Sequence, residues 1–161
     1  MSTPLHPIIV HFPIALLFLA AICQIIALWK PAHFDKLATG LLGLGLLSGA
    51  AAYLTGDDGV RFAINTFGAT RDMVHRHENM AFLTMVSFGV LFAIKLLLML
   101  PSMEKRRANS RKWFIPLALV LSLAGGTFVF LTGHFGGQIV YHNNMSGQTY
   151  TPQQNVGDDK D

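Results

Sequence analysis

A chain of 161 residues that is 52% hydrophobic and only 13% charged is too apolar for an ordinary soluble domain, in which about a quarter of residues carry charge. Its formal net charge of +3 comes from clusters between apolar runs, which is a membrane-topology signal and excludes a nucleic-acid footprint. The single cysteine, Cys23, excludes an internal disulfide, and no Cys-x-x-Cys-His is present to attach a c-type haem.

Four apolar runs, at residues 8–29, 37–55, 77–100 and 113–132, are long enough to cross about 30 Å of hydrocarbon as helices. The expected fold is therefore all-α. It is a four-helix transmembrane bundle over residues 1–142, followed by a polar tail over residues 143–161. The first run lacks the preceding basic residue of a secretory signal, and its lysines follow it. Lys30 and Lys36 flank the first connection, and Lys105, Arg106, Arg107, Arg111 and Lys112 crowd the third. The positive-inside rule puts both connections in the cytoplasm and both chain ends outside. The middle connection, 56–76, sets Val60, Phe62, Ile64 and Phe67 among polar residues, which predicts a short helix on the membrane surface. Lys95, near the cytoplasmic end of the third run, is expected to snorkel to the interface.

The chain also reads as a duplicated helical hairpin with parallel copies, related by an axis along the membrane normal. An offset of 66 residues lays "HFPIALL" over "HENMAFL" and puts His11 on His77. An offset of 77 lays "YLTGDDG" over "FLTGHFG" and puts Gly49 on Gly126. Small residues at these places let helices approach closely, and they also leave room for a flat cofactor.

Six of the seven histidines fall at the outer face: His6, His11, His75, His77, His134 and His142. Each singly has an ordinary interfacial reading, but as a set they are unusual. His11 and His77, equivalent in the duplication and on diagonal helices of an up-down bundle, are the expected axial ligands of one b-type haem. Gly49 and Gly126 would face the porphyrin, and Arg71 and Arg76 would meet its propionates. Glycines 133, 136 and 137 predict a turn that folds residues 133–141 back over the bundle mouth. That turn would aim His134 at His6 or the cofactor edge, where it could also meet a quinol hydroxyl. An alternative metal site uses His6, His11, Glu78 and His134 as zinc or copper ligands, at spacings that match no standard motif. No nucleotide-phosphate loop or nucleophile–base pair is present, so no catalytic residues are assigned.

The stretches "HPIIVHFPIAL" (6–16), "LTG" closing the second run, the histidine opening the third, and "GGQIVY" (136–141) resemble a bacterial membrane family known as domain of unknown function 2231. The resemblance covers nearly the whole chain. It implies a four-helix protein of the bacterial inner membrane. Members fused or neighbouring to c-type cytochrome domains imply a redox setting. The expected function is a haem-bearing electron-transfer protein in the bilayer, partnered by a periplasmic c-type cytochrome or a larger membrane redox complex. The alternatives are a cofactor-free structural or assembly subunit of a respiratory or photosynthetic complex, and a protein with a non-haem metal or quinone site.

Overall fold

The computed structural model describes residues 5–100 and 104–146, with side chains described over 5–100 and 112–141. The tail beyond residue 146, the His142 side chain and the basic side chains 105–111 lie outside the described residues. Six helices follow in order: α1 (His6–Ile9), α2 (His11–Ala27), α3 (Pro31–Leu54), α4 (Gly56–Phe67), α5 (Arg71–Met99) and α6 (Glu104–Ser146). The segments His6–Ala27, Pro31–Leu54, Arg71–Met99 and Lys112–Tyr141 have the length and hydropathy to cross a membrane.

Proline sets the joints. Pro13 has no N–H to give the carbonyl four residues back and its ring crowds that carbonyl. Accordingly α1 stops at Ile9 and α2 starts afresh after Val10. Pro31 opens α3 within its first turn, where a missing donor costs nothing. The amphipathic helix expected in the middle connection is α4. Asp57 and Asp58 sit in its first turn, where negative charge suits the helix dipole. It ends at Gly68, the one described glycine with positive φ (66°). The Gly68 N–H donates to the Ile64 carbonyl, the bond of an αL helix closure, and the Ala69 N–H donates to the Ala63 carbonyl. Thr70 then caps α5 by accepting the Met73 N–H at 3.4 Å.

Helices α2 and α3 pack closely as one hairpin, and α5 and α6 as the other. Packing between the hairpins, α2 on α6 and α3 on α5, is sparser. This leaves α2 and α5 across a diagonal. The shared core is Leu17, Ala20, Ala21, Leu42, Phe88, Leu91, Ala118 and Val129. A second small cluster of Ala63, Ala69, Val74 and Ile139 seats α4 against α5 and α6. Exposed Trp29 and Trp113 mark one end of the bundle, and exposed Tyr53 and Tyr141 the other, as an interfacial aromatic belt would.

The duplication has a different register from the one the sequence suggests. In α2 the buried residues include Pro13, Leu17, Ala20 and Gln24, and in α5 they include Thr84, Phe88, Leu91 and Lys95. Each pair is offset by 71 residues, so the partner of His77 is His6. The slip of five residues turns a helix by about 140°, which moves His11 off the equivalent face. Apolar sequence aligned there because most positions in either run carry interchangeable aliphatic residues. The second offset holds: Gly45 and Ser122 are both buried, as are Ala52 and Val129.

Two further expectations are corrected. Residues 133–141 form no turn. Glycines 133, 136 and 137 lie inside α6, which continues with its Ile139 covered by the α4 cluster. Lys95 does not snorkel. It is 3% exposed and points into the bundle.

Candidate functional site

The fourfold bundle brings two imidazoles into matching settings at the end bounded by α4. His6, at the start of α1, has its Nδ1 2.9 Å from the Ala52 carbonyl oxygen and 3.2 Å from Thr55 Oγ1, at the end of α3. His77, on α5, has its Nδ1 3.0 Å from the Thr132 carbonyl oxygen on α6. Thr55 and Thr132 are themselves equivalent under the 77-residue offset. A carbonyl oxygen can only accept, so in both rings Nδ1 carries the hydrogen. That leaves Nε2 with its lone pair when the ring is neutral. Among the described residues neither Nε2 has a hydrogen-bond partner.

Each ring rests on a glycine. A Cβ added at Gly59 of α4 would stand 2.7 Å from the His6 ring, and one at Gly136 of α6 would stand 3.3 Å from His77 Nδ1. Gly59 and Gly136 are again separated by 77 residues. Histidine, threonine and glycine therefore recur together in both hairpins, with the accepting carbonyl one turn apart, on Ala52 in the first and on Thr132 in the second. His6 thus lies against α4 and His77 against α6, and α4 packs on α6.

The remaining candidates lie elsewhere. His11 is on the exposed face of α2, without a hydrogen-bond partner among the described residues. His134 is exposed on α6, its Nε2 3.1 Å from Gln138 Nε2. It borders a lipid-facing groove of about 340 Å³ between α2 and α6, lined by Ile14, Phe18 and Phe130. Arg76 is exposed and paired with Asp72 at 2.9 Å, and Arg71 is exposed at the start of α5. Exposed pairs of this kind are worth about 0.3–0.5 kcal/mol. Glu78 is engaged by His75 at 3.4 Å. No group of three or more histidine, cysteine or acidic residues converges among the described residues, so the four-ligand set of His6, His11, Glu78 and His134 is not brought together.

The faces of Gly45, Gly49 and Gly125 are filled by protein. An added Cβ at Gly45 would meet Leu17 at 2.6 Å, one at Gly49 would meet Met85 at 2.5 Å, and one at Gly125 would meet Phe88 at 2.7 Å. These three glycines admit neighbouring side chains, whereas an added Cβ at Gly126 would have only the Ala21 Cβ, at 3.8 Å, within 4 Å.

A second polar cluster, at the opposite end, was not legible as a site in the sequence. Lys95 Nζ donates to Asp35 Oδ1 and to Gln24 Oε1, each at 2.6 Å. Gln24 is 2% exposed. The available signal was the presence of Gln24 and Lys95 inside runs otherwise apolar, with Asp35 just ahead of the second run.

The fold and these paired polar ends define a multi-pass, four-helix integral membrane protein. The model of the predicted membrane protein family DUF2231 matches residues 2–148. The chain belongs to that family. No curated protein and no solved structure matches it.

Proposed function

We propose that this protein binds a transition-metal ion between His6 and His77, at the membrane face that the lysine and arginine asymmetry assigns to the periplasm. The reading is carried by the matched Nδ1–H···O=C bonds. Metal-ligating histidines commonly donate their second ring nitrogen to a carbonyl, which fixes the tautomer and aims the other nitrogen at the metal. Two imidazoles at the surface, with water or a partner completing the shell, suit a copper ion better than a structural zinc, which takes four protein ligands. A copper ion there would make the protein a redox element of the inner membrane, with a periplasmic electron carrier as its partner. The same bonds also close each hairpin, which is all that a purely structural subunit would ask of them.

Metal content and cuprous-ion titration of the purified protein separate these readings. Wild type is expected to take up one ion per chain. His6→Ala and His77→Ala should each weaken binding at least 100-fold, and Gly59→Ala should weaken it by crowding His6. His11→Ala and His134→Ala should bind as wild type does. Uptake unchanged in both His6→Ala and His77→Ala would refute the proposal. Stoichiometric haem bands that vanish with His11→Ala would instead support the ligand pair the sequence suggested.

Reporter fusions after Tyr141 test the orientation, with activity of a periplasmic reporter expected. Activity of a cytoplasmic reporter at that point would invert the bundle and put the histidine pair inside.

A further inference from the structure

The groove between α2 and α6 is separate from the His6 and His77 pair and has a defined shape. Its inner end is closed where the two helices come together, with the Ala21 Cβ 3.8 Å from a Cβ placed on Gly126. From there the antiparallel helices part toward the end bounded by α4. Ile14 and Phe18 form one wall and Val129 and Phe130 the other, with Gly133 between them. A Cβ added at Gly133, or at Gly137 one turn further on, would meet nothing within 4 Å.

Two histidines stand at the open end. His134 lines the groove itself. His11 lies three and four residues before Ile14 and Ala15, hence on the same face of α2. At 1.5 Å per residue, His11 is about 15 Å and His134 about 12 Å outward from the Ala21–Gly126 contact, so they flank the mouth at similar depth. Gln138 Nε2 can only donate, so His134 Nε2, 3.1 Å away, accepts, and the hydrogen of the neutral ring sits on Nδ1. That N–H has no hydrogen-bond partner among the described residues. The groove thus combines apolar walls, two aromatic rings and an imidazole donor at its rim, with no lysine or arginine in its lining.

We propose that this groove holds the head of an isoprenoid quinone. Its volume of about 340 Å³ falls within the range of small-molecule sites, about 300–1,000 Å³. The flat ring rests against Phe130, and a ring carbonyl oxygen accepts the His134 Nδ1–H, with His11 on the other side of the mouth. The tail leaves past Phe18 into the bilayer, to which Phe18 and Phe130 are 48% and 68% exposed. A phospholipid is a poorer match, because its phosphate asks for cationic side chains that this lining lacks. The site is independent of the metal proposed above, and either can fail alone.

Photolabelling of metal-free protein in detergent with an azido derivative of decylbenzoquinone, with the labelled peptides mapped by mass spectrometry, tests the proposal. Label is expected on the peptides carrying Phe18 and Phe130, and unlabelled decylubiquinone should protect them. Gly133→Leu fills open space, so it should keep its helical content while cutting that labelling at least tenfold. His134→Ala should raise the protecting concentration of decylubiquinone at least fivefold, and His134→Gln, which restores an N–H donor, should recover part of the loss. His33→Ala, at the opposite end of the bundle, should behave as wild type. Labelling unchanged in folded Gly133→Leu overturns the proposal. So does protection by phosphatidylglycerol at the concentration where decylubiquinone protects, which would make the groove a phospholipid site.

Discussion

Asp35→Asn is expected to destabilise the protein by about 3–5 kcal/mol, the usual cost of leaving a buried charge without its partner. The Lys95 side chain is 2% exposed, whereas Asp35 is 26% exposed, so the two partners are not equivalent. Removing the carboxylate strands an ammonium held only by the Gln24 amide. Removing the ammonium, in Lys95→Met, leaves a carboxylate that can reach water, and should cost about 1–3 kcal/mol. The double variant Asp35→Leu with Lys95→Met should recover most of the Asp35→Asn loss, because no charge then needs pairing. Unfolding in mixed micelles, followed by circular dichroism, measures all three. Additive losses in the double variant would show that the pair contributes through separate contacts and not as an ion pair.

The second large effect concerns the glycines. Gly125→Ala would put a methyl 2.7–2.9 Å from three ring carbons of Phe88, which is fully buried and cannot withdraw without displacing its neighbours. Overpacking of this kind costs about 1–3 kcal/mol. Gly49→Ala meets the thioether of Met85, a flexible side chain that can swing aside, and the loss should be smaller. Gly126→Ala has only the Ala21 Cβ at 3.8 Å as its nearest neighbour, and it removes glycine's helix penalty of about 1 kcal/mol. It should therefore be neutral or stabilising. The order matters because a cofactor held between Gly49 and Gly126 would make those two substitutions equally harmful to cofactor binding. Thermal unfolding of the three variants in one detergent tests it, and a Gly126→Ala variant as damaged as Gly125→Ala would contradict the packing described here.

Span number and the amphipathic α4 were legible in the sequence because they depend on composition and spacing alone. Hydrocarbon demands long apolar helices, and Gly68 ends α4 where a left-handed residue is needed. The duplication was legible too, but not its register. Sliding one aliphatic run along another changes hydropathy little, whereas it changes which residues face the axis. Only packing distinguished His6 from His11 as the mate of His77, through the burial of Leu17 with Phe88 and of Gln24 with Lys95. The glycines of "GHFGGQIVY" suggested a turn by local propensity. In a membrane the backbone must satisfy its own hydrogen bonds, and small residues serve close helix contact, so α6 runs through them. Lys95 near a helix end looked able to reach water, and its fate was set by Asp35, 60 residues away in sequence. The sequence by itself thus determined that this is a four-helix membrane protein with polar chemistry at its ends. The tertiary structure decided which histidines are paired and that the lysine is buried, because both depend on helix rotation and on partners brought in from other helices.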